Sequence, residues 1–186
     1  MALSIAQRMH ALDPQAEAAA RLIADESSRL YDAMHGMIPR LTPLLLDNFG
    51  LTEALRDLVE RTRLSQPGLR LTLNIELGQS VLSSDAALAL YRAAQEGISN
   101  ALRHGQAQAL LLAVEGSATT VSLRLQDDGQ GMPADWSDRA GHYGLRWLAD
   151  RVEALGGALV VEPAQPRGVC LMVQLPIDAA AAAVTS

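Results

Sequence analysis

The sequence contains no lysine: all 15 basic residues are arginine, set against 21 acidic ones. A phosphate-binding loop ending in Gly-Lys-Ser/Thr is therefore impossible, as is Schiff-base chemistry or a catalytic lysine of the protein-kinase kind. The single cysteine, Cys170, excludes an intrachain disulfide and any multi-cysteine metal site. It stands in an apolar, strand-like run and reads as a packed core residue rather than a nucleophile. Aromatics make up 3% of the chain, so a core has to be built from Leu, Val, Ile, Ala and Met. No apolar run reaches the ~18 residues that span a bilayer, and no signal peptide is evident. The expectation is a soluble, cytoplasmic domain, with anchoring of a longer parent protein in the inner membrane left open. The net charge of −6 argues against non-specific nucleic-acid binding, and no direct nucleic-acid partner is expected.

What is present is enough chain for one sizeable core, or one domain with an appendage: 186 residues, 49% hydrophobic and 19% charged. From Pro14 to about Ile38 the pattern is helical, with Ala18, Leu22, Leu30, Met34, Met37 and Ile38 forming an apolar stripe that needs a partner. Pro39-Arg40-Leu41-Thr42-Pro43 stops that helix. Leu44 to Leu51 is an apolar turn into a second helix, with Thr52 as its candidate N-cap and Leu55, Leu58 and Val59 as its buried face. Ser65-Gln66-Pro67-Gly68 is a turn, and Leu69 to Glu76 alternates apolar and polar residues as a half-buried strand does. Ser83-Ser84-Asp85 caps a long helix that runs to His104, with Gly105 as its stop. Strands at Ala109–Glu115 and Val121–Gln126 are joined by a hairpin-like turn. A helix at Leu145–Leu155 ends at Gly156-Gly157, and closing strands at Ala158–Glu162 and Val169–Leu175 follow. The tail from Asp178 is Ala-rich and frayed. This order predicts an α+β fold, a two-layer sandwich with a mostly antiparallel sheet.

Three segments carry candidate chemistry. Glu96, Asn100 and either Arg103 or His104 are spaced by three and four along the long helix, so they share one face. Alone, such a face is an ordinary wet helix surface. Asp127-x-Gly129-x-Gly131 ends a strand, with glycine where the backbone turns tightly or lets a ligand approach. A calcium loop would need more carboxylates and a late Glu, which are missing. Gly141-His142-Tyr143-Gly144-Leu145 opens a helix, where free backbone amides can receive phosphate oxygens.

In this order the segments resemble the ATP-binding domain shared by sensor histidine kinases, gyrase-type topoisomerases, heat-shock chaperones and mismatch-repair ATPases, over roughly residues 69–176. Leu41-Thr42-Pro43 through Leu51, with Gly141–Leu145, Arg151-Val152 and Gly156-Gly157, is similar to the histidine kinases that pair with helix-turn-helix response regulators. The resemblance implies a Bergerat-type ATP-binding fold over residues 51–177, preceded by a partial dimerisation stem and connector over 1–50 and followed by the tail at 178–186. It implies ATP and Mg²⁺ as cofactors. Asn100 would ligate the ion, and Glu96 would orient or deprotonate the attacking group. Arg103 and His104 would steady the phosphates. Asp127 would accept the adenine amino group, with Gly129 and Gly131 admitting the base. Met132 through His142 would form a lid, and the amides at Gly144 and Leu145 would hold phosphate.

The implied partners are a helix-turn-helix response regulator and a second copy of the chain through the stem. Two departures stand out. Gly168-Val169 replaces the Gly-Thr common in relatives, which removes a hydroxyl near the base. His10 is followed by Ala11 and His35 by Gly36, so neither fits a phosphoacceptor, which needs an adjacent Asp or Glu. The expectation is a fragment that starts after, or late in, the acceptor helix. The competing readings are an anti-sigma-type serine kinase and a non-enzymatic ATP-sensing dimerisation module.

Overall fold

Leucine-rich helix and alternating strand segments fold largely where their patterns place them. The computed structural model describes residues 44–78, 80–132 and 143–177. The chain divides into compact units Met1–Thr42 and Pro43–Ser186, and every described residue belongs to the second. The helix expected at Pro14–Ile38, the Pro39–Pro43 stop and the tail from Asp178 lie outside the described residues.

Helix α1 spans Leu44–Ser65 and is interrupted at Gly50, whose φ of 78° and ψ of 179° only glycine adopts easily. The apolar segment expected as a turn is therefore itself helical before the break. Strand β1 (Arg70–Glu76) follows, and then α2 (Ser84–Arg103). Ser83 caps α2 by accepting the Ala86 N–H on its hydroxyl at 3.2 Å, and Asp85 in the first turn complements the helix dipole. The helix ends one turn past Asn100, whose carbonyl accepts the N–H groups of His104 and Gly105. The left-handed residue after it is Gln106, with φ 51°, rather than the glycine expected as the stop. Strands β2 (Ala109–Gly116) and β3 (Thr120–Asp127) form the predicted hairpin, whose turn is tied by Ser117 Oγ accepting the Thr120 N–H at 3.0 Å. Helix α3 runs Tyr143–Ala154, two residues earlier than its apolar pattern suggests, and β4 (Ala158–Pro163) and β5 (Val169–Pro176) close the unit.

The sheet has five strands in the order β1-β2-β3-β5-β4. Only β1 and β2 pair in parallel, joined across α2, while the other three pairings are antiparallel. This is the mixed, mostly antiparallel sheet with helices on one face that the sequence predicts. Alternation decides which face is covered: Val121, Leu123 and Leu125 of β3 are buried, and Ser122, Arg124 and Gln126 face outward. The core joins these residues to Leu112 and Val114 of β2, Val173 of β5, Leu55 of α1 and Leu148 of α3. Helix α2 lies across the middle of it, and its Ala86, Ala89, Ala93, Ala94 and Ala101 allow close approach where larger side chains would hold the layers apart. At the β1 edge, the Arg63 guanidinium donates to Leu71 O at 3.2 and 2.6 Å, which blocks further strand pairing there.

Leu90 of α2 is fully buried. Leu90→Ala is expected to cost about 2–5 kcal/mol of unfolding free energy in urea titrations. A cost under about 1 kcal/mol would mean that α2 is not the centre of the core.

Candidate functional site

At the carboxyl end of α2 the helix and sheet part around a small, partly open cleft. Its walls are apolar. Leu125 of β3, Val161 of β4 and Leu171 of β5 form the floor, and Gly97 and Ala101 of α2 form one side. Gly97 packs tightly on the sheet: a Cβ there would sit 3.1 Å from Leu125 Cδ1, so a larger residue would require Leu125 or Leu171 to shift. Polar groups enter only at the ends.

At one end lies Asp127, a buried carboxylate at 5% exposure. Its Oδ1 accepts the Gly129 N–H at 2.8 Å, and the Val169 N–H is a second donor to the carboxyl. Burial pushes the Asp127 carboxyl above the usual range, opposed by these two N–H donors. The loop that carries it is packed backbone to backbone. A Cβ on Gly129 would overlap Gly105 O, and one on Gly168 would overlap the Asp127 carbonyl. Gln130 N donates to Gly105 O at 2.8 Å, which fastens the loop to the end of α2. The Gly105 position thus serves close approach rather than a left-handed turn.

Asp128 beside it points the other way. Its Oδ1 accepts the N–H groups of Gln108 and Ala109, each at 2.8 Å, and so fixes the start of β2. The Ala109 N–H is the main cause of its lowered pKa, with Gln108 and the Arg167 guanidinium adding to it. A depressed carboxyl contributes stability above its unfolded pKa and loses it as pH falls through the folded one. Asp128→Asn is therefore expected to lower the melting temperature at pH 7, with the gap to wild type closing as the pH is taken below 4. A gap that persists at low pH would show that charge is not the cause.

At the other end, Asn100 Nδ2 donates to Glu96 Oε1 at 3.0 Å, as the helical spacing predicts. Asn100, His104, Asp127, Gly131, Met132 and Leu145 all line the cleft. Glu96 lies at its margin against Gly144, in the first turn of α3. Gly129 shapes the Asp127 loop without lining the cleft, and Arg103 stands exposed at the end of α2, away from the lining. His142 and the lid segment 133–142 lie outside the described residues. Sequence reasoning placed Val169 near the ligand but missed the walls Gly97, Ala101, Gly105, Leu125, Val161 and Leu171. The one signal that could have found some of them is the pair of small residues Gly97 and Ala101, each next in sequence to a polar site residue.

An apolar slot lined by one buried carboxylate, with an amide–carboxylate pair beside a helix start, is a concave site suited to a small ligand within a two-layer α/β fold. Residues 85–179 match the family described as "Histidine kinase-, DNA gyrase B-, and HSP90-like ATPase", and the chain belongs to that family. Among curated relatives, it is 32% identical over 157 residues to the signal transduction histidine-protein kinase/phosphatase UhpB of Salmonella typhimurium. That alignment covers 84% of this chain and 31% of UhpB. It is 26% identical to the sensor histidine kinase LiaS of Bacillus subtilis, covering 84% of this chain and 42% of LiaS. The chain thus spans less than half the length of these relatives. The solved ATP-binding domain of PrrB from Mycobacterium tuberculosis has a similar fold, with TM-score 0.57 at 23% identity, covering 69% of this chain and 94% of that one. The Acinetobacter baumannii histidine kinase AdeS gives TM-score 0.61 at 16% identity, covering 96% of both chains.

Proposed function

We propose that this chain is the catalytic, ATP-binding part of a two-component sensor histidine kinase, which transfers the γ-phosphate of Mg-ATP to a histidine on a dimerisation helix. The observation that carries the reading is Asp127, a buried carboxylate lining an apolar cleft that is also lined by Asn100, whose amide is bonded to Glu96. The names of the curated relatives, sensor histidine kinases, point the same way. The adenine ring fills the slot between Gly97, Leu125, Val161 and Leu171, and its amino group donates to Asp127. The phosphates then extend towards Asn100, His104 and the first turn of α3.

Mg²⁺ fits this donor set. Asn100 spends its Nδ2 on Glu96, which leaves the amide Oδ1 as a hard oxygen ligand, and Mg²⁺ is commonly held by one or two protein oxygens with phosphates and waters. The ion would neutralise phosphate charge. The protein's own task is positioning: the apolar walls fix the base, the helix ends fix the phosphates, and Glu96 orients the attacking imidazole or holds its proton. In the transfer the bond from Pγ to the β–γ bridging oxygen breaks, a P–N bond to the imidazole forms, and ADP leaves. The partners are a helix-turn-helix response regulator, which takes the phosphoryl group onward, and a second copy of the chain through the residues 1–50 stem, with the whole acting in the cytoplasm.

The test is incubation of the chain with γ-labelled ATP and a separately expressed acceptor-helix fragment. Acid-labile, alkali-stable label on a histidine of the fragment is expected. Label on serine would instead support an anti-sigma-type kinase, and ATP binding without transfer would support a non-enzymatic sensing module.

A further inference from the structure

Glu96 stands where the reading above needs a phosphate. Its carboxylate accepts the Asn100 amide at 3.0 Å and lies so close to Gly144 that a methyl group on that glycine would overlap both carboxylate oxygens. Gly144 is in the first turn of the 12-residue helix α3, whose leading N–H groups have no partners within the helix. Those same amides are the ones expected to receive phosphate oxygens. The amino end of α3, where the helix dipole is positive, lies beside that carboxylate. A carboxylate and a polyphosphate cannot share this space. At ~4 Å two like charges repel by about 1 kcal/mol in water and by about 4 kcal/mol near a protein surface.

We propose that Glu96 is an internal stand-in for phosphate: it seats against Gly144 at the amino end of α3 in the nucleotide-free chain and is displaced when the polyphosphate binds. The proposal rests on the ATP-site reading and deepens it. Gly144 gives the carboxylate its place by lacking a side chain, and Asn100 holds it there from the other side. Apparent nucleotide affinity is then reduced by the small fraction of chains in which Glu96 has left its seat. Displacement also frees the carboxylate only once the phosphates have arrived, so the group that orients the acceptor is released by the substrate it serves.

Calorimetric titration with ATP in EDTA tests this, because without Mg²⁺ the only effect of Glu96 on the phosphates is competition and repulsion. Glu96→Gln keeps the shape and loses the charge, and Glu96→Ala also vacates the seat. Both are expected to bind Mg-free ATP at least about 5-fold more tightly than wild type, the equivalent of ~1 kcal/mol, with unchanged melting curves confirming the fold. A Glu96 that neither occupies the phosphate position nor lies near the phosphates would leave the affinity unmoved. A residue that helps hold nucleotide would make both variants weaker. Either result, with ATP binding intact in the wild type, overturns the proposal alone. Failure of all three proteins to bind ATP, with or without Mg²⁺, overturns the ATP-site reading together with it.

Discussion

Asn100→Ala is expected to weaken Mg-ATP binding by at least about 100-fold and to leave the fold standing. The side chain is only half-buried, and among the described residues its hydrogen-bond partner is Glu96. Truncation therefore creates no cavity and orphans no buried donor, and the melting temperature should stay within about 2 °C of wild type. The lost function is specific. In the proposed site its amide oxygen would be a hard ligand for Mg²⁺, and even groups one step removed from a metal are worth about 10–100-fold in metal affinity. Isothermal titration of the variant with Mg-ATP measures the effect directly. Wild-type affinity would remove Asn100 from the site.

The second large effect belongs to Asp127. Burial makes its carboxylate costly in the empty chain, and the Gly129 and Val169 N–H groups offset part of that cost. Adenine adds another donor. In Asp127→Asn the amide turns either its NH₂ toward the adenine amino group, donor against donor, or its weaker neutral oxygen. The expected loss is about 10–150-fold in ATP affinity, the value of a hydrogen bond to a charged group. The variant should be no less stable than wild type without nucleotide, because a desolvated charge has been removed.

The pH dependence follows with its sign. The folded pKa of Asp127 lies above its unfolded value, so its contribution to stability is fully present below the unfolded pKa and is lost as pH rises through the folded one. Nucleotide binding needs the carboxylate and runs the other way. ATP affinity should fall on acidification at a higher pH than an ordinary aspartate would cause, and Asp127→Asn should flatten that fall. A wild-type profile that matches the variant's would show that Asp127 does not meet the base.

Much of this is legible in the sequence alone. The Ser83 cap, the Leu69–Glu76 alternation and the Asp127 loop each rest on local physics: a side-chain acceptor for a free amide, a period of two, a backbone forced close. The four-residue spacing that brings Asn100 onto Glu96 is helix geometry, and the 3.0 Å bond between them follows from it. Features that depend on long-range packing were not legible. Nothing in Leu125, Val161 or Leu171 distinguishes a cleft floor from ordinary core, because an inward-facing strand residue has the same sequence pattern in both roles. The parallel pairing of β1 with β2 is set by α2 crossing between them and not by either strand. Gly105 looked like a helix stop, yet its position is dictated by Gly129, far away in sequence, whose missing Cβ lets the Gly105 carbonyl in. Gly144 reads in the sequence as part of a phosphate loop, and only the fold places Glu96 against it.

The central claim is that the cleft reads an adenine nucleotide through Asp127. The most direct measurement is competitive titration of the wild-type chain with Mg-ATP and Mg-GTP. Guanine carries a carbonyl oxygen where adenine carries its amino group, so the Asp127 carboxylate would face an acceptor rather than a donor. Saturable Mg-ATP binding at one site, with Mg-GTP weaker by at least about 10-fold, is the predicted result. Equal affinity for the two nucleotides, or no binding of either, would contradict it.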